Sequence, residues 1–319
     1  MGQFYIIANQ IAILGILVAI GFVVTKLKVI DESIRGGLAK LIVKVTMPLL
    51  IFTSLTNLDL TADMIRNGVM LLLWAYVSLL LLLFIGLLSS KFLGLKGKTR
   101  HVHTAYMMFG NIVFLGFPLF DALFPGGEGI FYAVLFHIAN DTLLWTVGIY
   151  LLNKHHGVQK AESGIKHMIN PNTVAFIVGV LMLLAGMKLP TTIHQSFAGL
   201  GSTTVYLSMV FIGATLAGIK LKGIYKKYSI FVLSALKMIL IPLGVMFMVR
   251  LFDTLFGLGL NDIAKTVLVL QVAMPGMATV AVLAKDFESD YVYATEYVFV
   301  STMLSLGTLP LVFYMMNVL

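Results

Sequence analysis

Phe109-Gly110-Asn111-Ile112-Val113-Phe114-Leu115-Gly116-Phe117-Pro118 lies inside an apolar segment, 102–124, that is long enough to cross a bilayer. Two glycines and a proline make it a poor uninterrupted helix. Proline has no backbone N–H, and its ring clashes with the carbonyl four residues back, here that of Phe114. In hydrocarbon each freed backbone group needs a new partner, so a break at this depth has to face protein, water, ion or substrate. Interrupted spans of this kind point to the binding site of a transporter. Asn111 adds an amide that both donates and accepts hydrogen bonds. The alternative is a plain proline kink, with Asn111 bonded to a neighbouring helix.

The composition around this stretch belongs to a membrane protein. Of 319 residues 59% are hydrophobic and 11% charged, and the mean hydropathy is +0.99. A soluble domain carries about 25% charged residues. Residues 1–10 lack the basic start of a cleavable signal, so the first apolar run reads as the first span. Without cysteine there is no disulfide, thiol catalysis or Cys-ligated metal. The net charge of +8 calls for no nucleic acid, because the basic residues gather in short connections, as membrane topology requires.

Runs of about 20 apolar residues span a bilayer. Ten are read here: 4–25, 36–56, 67–89, 102–124, 129–152, 172–187, 197–218, 229–250, 264–284 and 293–316. The polar connection 153–171 separates a first five-helix repeat, 1–152, from a second, 172–319. The connections after spans one, three, five, seven and nine carry most of the basic residues: Lys26, Lys28, Arg35, Lys91, Lys96, Lys98, Arg100, Lys154, Lys160, Lys166, Lys220, Lys222, Lys226, Lys227 and Lys285. The other side holds only Arg66, Lys188, Arg250 and Lys265. By the positive-inside rule the first side is cytoplasmic and both termini lie outside. With five spans to a half, the second half enters the membrane inverted.

Two matched pairs support such a repeat. Met47-Pro48-Leu49-Leu50 in span two and Ser208-Met209-Val210-Phe211 in span seven lie 160 residues apart at Pro48 and Ser208. Span four is expected to break at Pro118 and span nine at Pro275, 157 residues later. If the prolines are not unrelated kinks, the two interrupted helices cross near the midplane. Their N-terminal N–H groups suit an anion. Their exposed carbonyls, near Phe114 and Gln271, suit a cation.

The candidate substrate-binding residues are accordingly Gly110, Asn111, Pro118, Gln271 and Pro275, with Asn140 from span five. A sodium ion has a candidate place near Asn111 and Gln271. No Lys, Arg, Asp or Glu lies within either break, which favours a weakly charged substrate head or one neutralised by a bound ion. In span five His137 and Asp141 are i,i+4 and share a helical face. They are either a proton relay or a structural contact between helices. Asp121 near the outer end of span four and Glu296 near the cytoplasmic start of span ten are the other titratable candidates. Lys40, Lys44 and Lys237 either snorkel to the headgroups or line a vestibule. Ser301, Thr302 and Ser305 read as helix-packing contacts. Gly-x-Ser-x-Gly, Walker and His-Glu-x-x-His motifs are all missing, so no enzyme and no resident metal is expected.

Four stretches together resemble the auxin efflux carrier family, which includes bacterial malate-permease-like proteins and plant PIN exporters. They are Val45-Thr46-Met47-Pro48 through Leu55, Gly110-Asn111 through Gly116-Phe117-Pro118-Leu119, Asn140 through Trp145-Thr146-Val147-Gly148, and Gln271 and Pro275 through Ala284-Lys285 to Ser301-Thr302 and Leu309-Pro310. The resemblance implies an all-α membrane protein of ten transmembrane helices in an inverted 5+5 repeat, related in architecture to bile acid sodium symporters. It implies a scaffold of spans one, two, six and seven, a moving bundle of spans three to five and eight to ten, and a homodimer formed through spans two and seven. In that picture helices four and nine are broken and cross, and Asn111 helps to hold a substrate carboxylate. Two departures stand out: Ser208 where many relatives have proline, and the charge of Asp141.

The expectation is therefore a multi-pass carrier of the cell membrane. It moves a small organic anion, a mono- or dicarboxylate of malate-like or auxin-like kind, by an elevator motion. Coupling is to sodium, to protons, or to neither. The alternatives are a non-transporting sensor or interaction protein on the same fold, a sodium-coupled bile-acid-type symporter, and a channel.

Overall fold

The structure is a computed structural model and describes residues 2–56, 58–153, 170–219, 227–257 and 259–318, with residues 2–8 described by backbone alone. The connection expected at 153–171 falls almost wholly outside the described residues, as do Lys220, Lys222 and Lys226.

Every named element is a helix: α1 Gly2–Lys26, α2 Glu32–Thr56, α3 Ala62–Phe92, α4 Gly97–Met108, α5 Ile112–Leu123, α6 Glu128–Asn153, α7 Pro171–Leu184, α8 Thr191–Ala217, α9 Tyr228–Phe256, α10 Asp262–Val272, α11 Ala278–Asp286 and α12 Tyr291–Val318. Seven of these are long and apolar enough to cross a membrane: α1, α2, α3, α6, α8, α9 and α12. The remaining expected spans take other forms. Span six is the 14-residue α7, about 21 Å long at 1.5 Å per residue. Spans four and nine are each divided in two, α4 with α5 and α10 with α11. Helix starts are chemically marked. Asp31, Asn170 and Asn261 each accept a backbone N–H of the first turn, satisfying donors that have no intrahelical partner.

Three prolines act through the turn that precedes them. Pro48, Pro118 and Pro242 each stand two residues after a π-helical turn, Ile42–Thr46, Ile112–Gly116 and Leu236–Leu240. A proline leaves the carbonyl four residues back without its usual N–H. The helix answers by widening. The Met47 N–H bonds the carbonyl of Ile42, and that of Ile241 bonds the carbonyl of Leu236, five residues back in both cases. Ser208, which matches Pro48 in the repeat, lies in α8, and α8 runs 27 residues without such a turn. The expectation that span four breaks at Pro118 is corrected by the same observation. Pro118 sits in a helix whose π-helical turn absorbs it, and the unwound residues are 109–111. A fourth π-helical turn, Leu144–Gly148 in α6, has no proline after it.

The described chain divides into two compact units. The first comprises 1–70, 113–135 and 169–218, and the second comprises 71–112, 136–168 and 219–319. The first unit is built on close helix approaches at small residues. A Cβ placed on Gly213 of α8 would lie 2.0 Å from the Val18 carbonyl oxygen of α1. One on Gly201 would lie 2.8 Å from the Leu50 backbone nitrogen of α2. With no hydrophobic gain to draw helices together in lipid, such backbone contact supplies the van der Waals packing that does.

In the second unit polar contacts tie α3, α4, α12 and the connection before α12 together. The His103 ring of α4 lies 3.0 Å from Ser89 Oγ on one side and 3.0 Å from Tyr293 OH on the other. Near the same end, Thr99 Oγ1 donates to Asp290 Oδ2 and Lys98 Nζ to the Glu288 carbonyl.

Candidate functional site

In the second unit two helical paths unwind side by side. Phe109, Gly110 and Asn111 separate α4 from α5, and residues 273–277 separate α10 from α11. The two stretches pair as an isolated antiparallel bridge between Gly110 and Gly276. The Asn111 N–H donates to the Pro275 carbonyl at 2.7 Å. Ser301 Oγ of α12 accepts the Gly276 N–H at 2.9 Å and donates to the Tyr297 carbonyl at 2.7 Å. Part of the backbone hydrogen bonding lost at the two breaks is thereby recovered.

Only glycine fits at either bridge position. A Cβ on Gly110 would come within 2.8 Å of Met274 Cβ, and one on Gly276 within 2.7 Å of the Tyr297 ring. Tyr106 and Tyr297, both fully buried, stack at 4.7 Å between centroids beside Gly276. The Tyr106 hydroxyl has no hydrogen-bond partner among the described residues.

Two buried amides stand out in this unit. Gln271, in the last turn of α10 before the break, is 1% exposed, and Asn140 on α6 is 0% exposed. Among the described residues neither the oxygen nor the nitrogen of either side-chain amide has a hydrogen-bond partner. Buried polar groups are paired in the great majority of proteins, and an unpaired one costs about 1–3 kcal/mol. Four such atoms in one unit therefore call for a ligand or water.

The expected residues are distributed as follows. Gly110, Asn111, Pro275 and Gln271 meet at or beside the bridge. Asn140, His137 and Asp141 lie on the part of α6 that belongs to the same unit, with His137 Nε2 at 3.3 Å from Asp141 Oδ2. Glu296 also belongs there. It is 1% exposed and forms an ion pair with Lys227 at 2.5 Å. Pro118 and Asp121 lie on α5, in residues of the first unit. Lys40 and Lys44 are exposed.

Three residues were underrated by sequence reasoning. Gly276, beside Pro275, is half of the bridge. Ser301, read as a packing contact, holds the Gly276 N–H. Lys237, read as snorkelling or vestibular, is fully buried, and its Nζ reaches the Met107 carbonyl at 3.0 Å and the Met108 carbonyl at 3.2 Å. The signal available for Lys237 was a lone cation deep in span eight, five residues before Pro242. Among the described residues no cluster of three or more His, Cys, Asp or Glu side chains is placed to hold a metal ion.

The chain is similar to known proteins along nearly its whole length. Residues 6–313 match the family described as membrane transport protein. An uncharacterized transporter of Methanothermobacter thermautotrophicus is 31% identical over 300 residues, covering 93% of this chain and 94% of that protein. An uncharacterized transporter of Methanocaldococcus jannaschii is 24% identical over 309 residues, covering 95% and 96%.

Proposed function

The chain belongs to the membrane transport protein family, the auxin efflux carrier family that its motifs resemble, and from that premise we propose that it is a secondary carrier of a small organic anion, a mono- or dicarboxylate of malate-like or auxin-like kind. The observation that carries this reading is the Gly110–Gly276 bridge, in one unit with the unpartnered amides of Gln271 and Asn140. Unwound backbone here places two helix starts, those of α5 and α11, next to the bridge. Helix starts favour negative charge through their free N–H groups and the helix dipole. Amides with both donor and acceptor unspent match a carboxylate that carries a hydroxyl or a second oxygen function. In this reading Asn111, Gln271 and Asn140 hold the substrate, while Gly110 and Pro275 shape the backbone around it.

We further propose ten spans in an inverted repeat, with spans one, two, six and seven as scaffold and the remaining spans as the moving part of an elevator. One of the two compact units holds those four spans, which favours the scaffold, and it also takes in residues 113–135 of spans four and five. In this proposal the protein lies in the cell membrane with both termini outside, as a homodimer through spans two and seven. Exposed apolar residues on those spans, among them Val45, Leu200 and Tyr206, suit either lipid or a second copy. Coupling is to protons through His137, Asp141, Asp121 or Glu296, to sodium near Asn111 and Gln271, or absent.

The test is stabilisation of the detergent-solubilised protein by malate, malonate, succinate, acetate, indole-3-acetate or taurocholate. A ligand of the folded state raises apparent stability by mass action. The reading expects a shift with at least one carboxylate, and flux of that compound in liposomes. Binding without flux would make the protein a sensor.

A further inference from the structure

Lys237 occupies a place that suits a free cation. Its ammonium donates to the carbonyls of Met107 and Met108, the last two residues of α4. The final carbonyls of a helix have no intrahelical N–H and form the negative end of its dipole. At such interrupted helix ends in transporters, carbonyls coordinate the coupling cation. Here α4 stops at the break, where Met108 is 1% exposed, so these oxygens are shielded from bulk solvent.

The charge of Lys237 is not neutralised locally. Among the described residues it is the one buried Lys or Arg, and no carboxylate pairs with it. An ammonium has three donors, and two are used by the α4 carbonyls. A cation enclosed in apolar surroundings without a counterion is costly by several kcal/mol. The local backbone is also specialised. Lys237 is the second residue of the π-helical turn Leu236–Leu240, ahead of Pro242, and such a turn re-aims the side chains it carries.

We propose that Lys237 is the site's resident cation. Its ammonium takes the position of a metal ion at the carbonyl end of α4, and its unneutralised charge is the countercharge of the anion bound beside Gly110 and Asn111. The second part rests on the carboxylate reading above, and the first does not. Anion binding then requires no sodium, and the sodium place expected near Asn111 and Gln271 is not needed for it.

The experiment compares detergent-solubilised wild type with K237M, K237Q, K237R and K237A, each checked for a monodisperse elution profile. Carboxylate affinity is read from thermal stabilisation in sodium and in choline buffer, and sodium is also titrated without carboxylate. Wild type should bind the carboxylate equally in both buffers. K237M and K237Q should bind at least tenfold more weakly, and K237R should retain part of the affinity. K237A, which vacates the carbonyl end, should gain a sodium-specific stabilisation that wild type lacks. Unchanged affinity in either neutral variant would overturn the countercharge, as would wild-type binding seen only with sodium. If wild type binds no carboxylate, the anion reading fails by itself, and the sodium titration of K237A decides the cation position: no shift there overturns it.

Discussion

The backbone N–H of Asn111 and the carbonyl of Pro275, 164 positions apart in the chain, meet at 2.7 Å. This single bond joins the unwound residues of two divided helices, and the Gly110–Gly276 bridge lies directly beside it. Two broken helices in lipid would each leave backbone groups unpaired. Paired with one another they answer part of that need, and Ser301 answers more of it. The crossing is therefore a joint product of both halves of the sequence.

Replacing Gly276 by alanine tests the closeness of that crossing. The new Cβ would press on the Tyr297 ring, itself fully buried against Tyr106. Overpacking of this sort costs about 1–3 kcal/mol. We expect Gly276→Ala to lower the apparent Tm and to reduce carboxylate uptake at least tenfold. Uptake at the wild-type rate would show that the bridge does not shape the site.

Asn140 and Gln271 should trade stability against function. Each keeps an unpaired amide buried, which costs free energy unless a ligand satisfies it. Asn140→Leu and Gln271→Leu are expected to leave the ligand-free Tm unchanged or raised, while weakening carboxylate binding at least tenfold. A fall in Tm with unchanged binding would mark these amides as structural.

If coupling is protonic, we propose the His137–Asp141 contact at 3.3 Å as its carrier. Asp141→Asn removes the titratable carboxylate while keeping its shape. The expected result is a displaced pH profile of uptake in proteoliposomes. An identical profile in wild type and variant would remove Asp141 from the coupling path.

The first unit should respond to bulk at Gly213. Its Cβ position falls 2.0 Å from a backbone oxygen of α1, so no rotamer relieves the clash. Gly213→Leu should force α1 and α8 apart and lower the Tm by about 5 °C or more. A Tm within about 1 °C of wild type would contradict that packing.

Apolar runs and charge asymmetry made the helical membrane character legible, because hydropathy reports burial in lipid directly. The position of the break in span four was not legible in the same way. Proline at 118 suggested it, yet a proline just inside a helix costs little when a π-helical turn precedes it. The true unwinding at 109–111 depends on Gly276, on the other side of the chain. Pro275 was correctly placed because there the proline lies among the unwound residues themselves. Lys237 was ambiguous for a related reason. Its partners are carbonyls about 130 positions upstream, and no local pattern tells a snorkelling lysine from one bonded to a distant helix end. Asn140 and Gln271 were visible as polar residues in apolar spans, but their lack of partners is a property of packing alone.

Uptake of labelled carboxylate into liposomes containing the purified protein, with Asn111→Ala as control, decides whether the protein carries a carboxylate through the Asn111 site. The account predicts saturable uptake by wild type of at least one small carboxylate, and loss of both uptake and binding in Asn111→Ala while the variant stays folded. Binding unchanged in Asn111→Ala, or no carboxylate moved by wild type across the panel, would contradict it.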